Sequence, residues 1–140
     1  VQRYRSKISG PLLDRIDIHV EVPRVDFKTL TSTKSGESSA TIRERVNRAR
    51  RIQEERFKGR ANQTNSGMSP SDIRRHCPLD DASRRLLRAA FDSLGLSARA
   101  HGRILKVART IADLAGEEKI REEHMAEAIQ YRVLDRKFWE

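Results

Sequence analysis

The stretch at 96–116, LSARAHGRILKVARTIADLAG, constrains this chain more than any other. Ser97 stands where a helix N-cap belongs, and Gly116 where a left-handed residue should end the helix. Ile104, Val107, Ala108, Ile111, Leu114 and Ala115 recur at spacings of three and four, so they share one helical face. A helix with one apolar stripe must bury it against other elements. Arg99 lies in the first turn, away from that stripe. A helix N-terminus is electropositive, and a guanidinium there adds a bidentate fork for an anion such as phosphate. An exposed arginine that only contacts water satisfies the same periodicity, and the two readings stay open at this point.

The other helix signals are of the same kind. Residues 39–57 carry Ile42, Val46, Ala49, Ile52 or Gln53, and Phe57 as a buried stripe, with Thr41 and Glu44 at capping-box spacing. Arg43, Arg45, Arg48, Arg50, Arg51 and Arg56 fall mostly outside it. They form either a solvated face balanced by Glu44, Glu54 and Glu55, or a face that tracks phosphates. Ser69-Pro70-Ser71-Asp72 gives an N-cap, a proline at the first helical position and an acid at the third. That short helix should end at His76-Cys77-Pro78. A third helix is expected over 80–94, stopped by Gly95, with Leu79, Ala82, Leu86, Leu87, Ala90, Phe91 and Leu94 on its core face. A last helix should begin near Glu122 and turn Met125, Ala128, Ile129 and Val133 inward, with Ile120 clipping the turn before it. Gly102 weakens the central helix, and close approach by another backbone is its expected reason. Trp139, in the tail, is expected either to pack on the bundle or to meet a partner.

The first residues differ. Pro11 to Arg15 looks like a single helical turn opened by proline. In DIHVEV, at 17–22, Ile18, Val20 and Val22 alternate with polar residues, the period-two signature of a strand. A lone strand lacks a partner and cannot stand alone, so it is expected to be the last strand of a sheet lying upstream, and to be poorly ordered or paired with something non-native. Residues 26–38 have linker composition. The chain opens Val1-Gln2-Arg3, mid-pattern, as expected of a piece of a larger protein.

With 140 residues there is room for one domain, or one domain and part of another. A net charge of +9 permits an anionic partner without naming it. Cys77 is the only cysteine, so no disulfide framework exists, and the His76-Cys77 pair has no second pair at a metal-binding spacing. His19, His76, His101 and His124 are spread over separate elements, and no acid–base or nucleophile constellation is visible. No signal peptide or long apolar run is present, and a cytoplasmic location away from membranes is the default expectation.

Two stretches together carry a resemblance. SGPLLDRIDIHVEVP at 9–23 resembles the end of the ATPase core in the magnesium-chelatase-like branch of AAA+ proteins, and SARAHGRILKVARTIADL at 97–114 resembles the lid of that branch, competence-associated members above all. The ARTIADL run is specific to it. The resemblance covers nearly the whole chain. It implies an all-α fold, a helical AAA+ lid-type bundle over 39–140, preceded by a helix-turn and one orphan strand over 1–25 that are the remnant of a truncated α/β core, with 26–38 as linker. It also implies roles. Arg15 matches the family's arginine finger, which reaches in trans into the ATP site of the neighbouring subunit of a ring. Arg99 matches the sensor-2 arginine at the start of the lid helix, acting on its own or a neighbour's site.

Neither G-x-x-x-x-G-K-[ST] nor an apolar run ending in paired acids is present. ATP and Mg2+ are therefore expected in the intact parent and not in this piece alone, which should be inactive by itself. The implied partners are identical subunits in a hexameric ring, and DNA, in a motor acting in recombination during DNA uptake. A free-standing basic helical module that binds nucleic acid, or a protein-interaction bundle, is the alternative.

Overall fold

The structure is a computed structural model and describes residues 12, 15–25, 27, 31 and 36–132. Among them are five α-helices: α1 (Ser39–Arg56), α2 (Pro70–His76), α3 (Asp81–Leu94), α4 (Ala98–Ala115) and α5 (Glu122–Gln130), with a 3-10 turn at Asn65–Gly67. The described part is all-α, as the sequence implies. Four of the five helices start where an N-cap side chain accepts a backbone amide, and α5, which follows Arg121, is the exception. Ser38 accepts from the Thr41 amide, Ser69 from Asp72, Asp80 from Ser83, and Ser97 from Ala100. Each cap meets one of the amide donors that a helix start leaves without an intrahelical acceptor. Ser69 and Asp72 complete a reciprocal capping box with Pro70 in the first turn. Gly95 and Gly116, at φ 61° and 74°, end α3 and α4 in the left-handed region that glycine enters without strain. The cap of α1 is Ser38 rather than the Thr41–Glu44 pair; Glu44 instead faces Arg48.

Helix α4 is the centre. It packs on α1, α2, the 3-10 turn and α5, while α3 covers α5. Ala100, Ile104, Ala108 and Ala112 of α4 meet Met125 and Ala128 of α5, with Phe57, Cys77, Leu87 and Ile120 closing the core. Full burial of side chains such as Ile104 and Met125 contributes about 1.5–3 kcal/mol each. Ile120 clips the turn before α5 as expected, through an isolated bridge to Leu79.

Several expectations need correction. The run at 17–22 enters no ladder, and no strand exists among the described residues. Ile18, Val20 and Val22 are exposed, whereas His19 is buried. Without partner strands the alternation has no sheet face to bury, and the segment instead docks on the bundle through backbone groups, its His19 amide donating to the Tyr131 carbonyl at 2.9 Å. On α1, Ala49, Phe57 and, of the alternatives Ile52 and Gln53, Gln53 are buried, but Ile42 and Val46, in the first half of the helix, are exposed. Residues 1–11, most of 26–35, Val133 and the tail with Trp139 lie outside the described residues.

Gly102 has no backbone against it. A Cβ there would meet only Ile73 Cδ1, at 3.6 Å, an ordinary contact. Gly102→Ala should therefore stabilise the fold by about 0.5–1 kcal/mol, the helix-propensity difference, read as a higher urea midpoint at unchanged slope. A lower midpoint would show that the position needs glycine for another reason.

Candidate functional site

A groove of about 690 Å³ runs along α4 from Ala98 to Leu114. Met68, Pro70 and Ile73 line it from the 3-10 turn and α2, Gly102, Val107 and Ile111 from α4, and Glu127 and Tyr131 from α5 and the residue after it. Arg99, Arg103 and Lys106, spaced along one face of α4, give it a basic edge. Two of these cations are already engaged: Arg103 with Asp17, and Lys106 Nζ with the Ser66 carbonyl at 2.8 Å. Arg99 is exposed in the first turn and has no ion-pair or hydrogen-bond partner among the described residues. It adds a fixed positive charge to the electropositive end of α4, an arrangement suited to an anion with several oxygens.

Arg15 is exposed and sits in a turn, its amide donating to the Leu12 carbonyl at 3.0 Å. That supports the expected helical turn; Pro11, Leu13 and Asp14 lie outside the described residues. Arg15 does not line the groove, although Asp17 and Ile18 do. The fold thus brings the two sequence-derived candidates to neighbouring elements without placing both in one cavity.

A polar network missed by sequence reasoning lies behind the groove. The Asp113 carboxylate, its side chain fully buried, accepts two hydrogen bonds from Arg56 at 2.6 and 2.7 Å, one from Arg109 Nε at 3.1 Å and one from Asn65 Nδ2 at 2.8 Å. Arg109, also buried, donates to the Glu117 and Glu118 carbonyls, tying down the turn after α4. Burial pushes the Arg109 guanidinium below its usual value, and Asp113 opposes that shift. Asn65 Nδ2 also bonds Thr110, and Gln53 accepts from the Asn65 amide. The run ARTIADL therefore contributes Arg109, Thr110 and Asp113 to internal architecture. A signal was present: an arginine and an aspartate four residues apart flanking an apolar stripe, with no acid elsewhere in the helix. Arg56, grouped in sequence with solvated arginines, turns inward because Asp113 is there.

A second pair closes the loop before α2. Arg60 bonds both Asp72 oxygens, at 2.8 and 3.0 Å, and its guanidinium lies 5.3 Å from the Phe57 ring centre. The Arg60 hydrogen bonds, with the Ser69 amide and hydroxyl, hold the Asp72 carboxyl well below the usual carboxylate range. A folded value below the unfolded one gives stability that is complete above the unfolded value, about pH 4, and lost as pH falls through the folded one. Acid titration should show wild-type stability falling below about pH 4, with a weaker dependence in Asp72→Asn. Equal acid dependence of the two proteins would remove Asp72 as a source. Beside it, burial pushes the Cys77 thiol up to about 11, so it is protonated at neutral pH. Burial also lowers the His76 imidazole, whose ring instead meets Phe57 edge-on at 5.6 Å. No group of three or more potential metal ligands occurs among the described residues.

A family model described as magnesium chelatase, subunit ChlI C-terminal, matches residues 36–132. The chain belongs to that family. A second model of the magnesium chelatase group, described as subunit ChlI, matches residues 1–30. In the chelatase frame Arg99 thus falls in the C-terminal family model and Arg15 in the other. The chain is similar to competence protein ComM of Haemophilus influenzae, 45% identical over 97% of the chain, and to YifB of Escherichia coli, 43% identical over 96%. Rv2897c of Mycobacterium tuberculosis is 37% identical over 94%. The chain spans 26% of the length of each of these relatives. No helix of this chelatase-family piece, among the described residues, is long and apolar enough to cross a membrane.

Proposed function

We propose that residues 39–140 are the lid, and 1–25 the end of the nucleotide-binding core, of a ring-forming AAA+ ATPase, joined by a linker at 26–38. Arg99 senses nucleotide in this reading, and Arg15 completes the ATP site of the neighbouring subunit. One observation carries it most directly: along the basic edge of the groove, Arg103 and Lys106 are engaged within the chain, and Arg99 is left exposed at a capped helix start. Family membership and the order of the two arginines in the chain agree with it. The chain's own polar groups fit the anionic part of a nucleotide; ATP and Mg2+ are held mainly by residues of the whole protein outside this chain. Bound ATP supplies the phosphoryl group to be transferred. Arg99 fixes the lid against its phosphates, and Arg15 neutralises charge developing on the γ-phosphoryl oxygens from the next subunit.

A hexameric ring in the cytoplasm that acts on DNA during recombination or natural transformation is the setting we propose. The relative named a competence protein supports the competence part of it. Arg43, Arg50 and Arg51 on α1 are exposed and have no ion-pair partner among the described residues, so this helix offers the DNA a phosphate-facing surface. The nucleotide half is tested in the full-length protein. Arg99→Ala should weaken ATP binding about tenfold or more, the worth of a charge-assisted hydrogen bond, in equilibrium titration with a fluorescent ATP analogue. Binding as tight as wild type would refute the sensor role.

A further inference from the structure

We infer that Arg103, through Asp17, is the positioning residue for Arg15, so that the nucleotide-sensing helix of a subunit also sets where that subunit's finger points. The inference rests on the proposed roles of Arg15 and Arg99, and its observations are independent of them. Arg103 and Asp17 are 86 positions apart in the chain and form an ion pair across the edge of the groove. Two further ties hold the same segment to the end of α5: the Arg132 guanidinium donates to the Ile16 carbonyl, across 116 positions, and the His19 amide donates to the Tyr131 carbonyl. His19 itself is buried.

The distances are short on both sides of the pair. Arg103 lies four residues from Arg99 on one rigid helix, a rise of about 6 Å. Arg15 lies two residues from Asp17, so their Cα atoms are within about 7 Å. A displacement of α4 caused by phosphate at Arg99 is therefore passed to Arg15 through one ion pair and two residues of backbone. The ties to α5 keep the segment on the bundle, and the Asp17 contact ties it to the helix that carries Arg99. Both partners are partly exposed, with side-chain exposures of 52% for Asp17 and 32% for Arg103. Such a pair is weak alone and is easily remade or broken in a working cycle.

The test uses the full-length protein with Asp17→Asn, Arg103→Ala and the charge-reversed double variant Asp17→Arg with Arg103→Asp. Amide hydrogen exchange at residues 16–20 should rise about threefold to tenfold in each single variant, and fall back in the double. Single-variant subunits mixed into wild type should depress ATP turnover more than in proportion to their fraction, with ATP affinity near wild type. A surface pair with only a structural role changes exchange and leaves neighbouring subunits' turnover alone; that result overturns the inference, as does unchanged exchange in Arg103→Ala. If Arg15→Ala subunits fail to depress turnover in the same mixtures, the finger reading itself fails and takes this inference with it. Depression by Arg15→Ala with none from Asp17→Asn or Arg103→Ala overturns the positioning role alone.

Discussion

Asp113→Ala is expected to destabilise the fold by about 3–5 kcal/mol, the cost of removing one partner from a buried charge cluster. The carboxylate is the common acceptor for Arg56, Arg109 and Asn65, and its side chain is fully buried. Alanine leaves two guanidinium groups without their shared counter-charge, with only the Asn65 amide oxygen for Arg56 and the Glu117 and Glu118 carbonyls for Arg109. One, Arg109, is buried and cannot turn to water without opening the C-terminal end of α4. A domain of this size has a total stability of about 5–15 kcal/mol, so the loss approaches the whole of it in the less stable half of that range. Urea denaturation followed by circular dichroism reads it directly. The control is Glu44→Ala, which removes a 3.4 Å pair whose side chains are 61% and 69% exposed and should change stability by less than about 1 kcal/mol. A loss under about 1 kcal/mol for Asp113→Ala would mean that the two arginines reach solvent, and that the network is not what holds α1 to α4.

Arg15→Ala in the full-length protein is expected to lower ATP turnover by about 10³ to 10⁵, the range over which an arginine finger acts. ATP affinity should stay near wild type, because a finger acts on charge that develops in the transition state and little on the bound ground state. The residue is exposed, so its loss leaves the fold intact, and an inactive protein with an unchanged denaturation curve is part of the expectation. Mixing at fixed total protein separates the possibilities. If Arg15 acts in the next subunit's site, wild-type subunits beside a variant lose activity, and turnover falls more steeply than the wild-type fraction. A rate unchanged at every ratio would show that Arg15 is no finger. A large loss of ATP affinity would place Arg15 in ground-state binding instead.

Much of the local structure was legible because its causes are local. Ser69, Pro70 and Asp72 form their capping box within four consecutive residues, and Ser97, Gly95 and Gly116 act on the turn beside them. Arg99 and Arg15 were both nameable from their short motifs, and the structure leaves both side chains exposed. Burial was less legible. The expected stripe of α4 included Leu114 and Ala115, which are exposed, and omitted Leu105, Arg109, Ala112 and Asp113, which are buried. Apolar periodicity assigns a polar residue to the water side by default. Arg109 and Asp113 break that rule because each finds its counter-charge or a carbonyl inside. The valines of 17–22 failed in the opposite sense, since an alternating pattern reports a buried face only when a second strand is present.

The sequence by itself determined the starts of α2, α3 and α4, the glycine stops of α3 and α4, and which family the chain belongs to, since caps, glycine stops and motif runs all act within a few residues. Only the tertiary structure decided which charges are buried and which elements touch. Arg56 and Asp113 are 57 positions apart, and Arg103 and Asp17 are 86 apart. Whether an arginine is a solvated surface group or the centre of a network depends on the desolvation it suffers and the partner it gains, and both come from residues the local sequence does not contain.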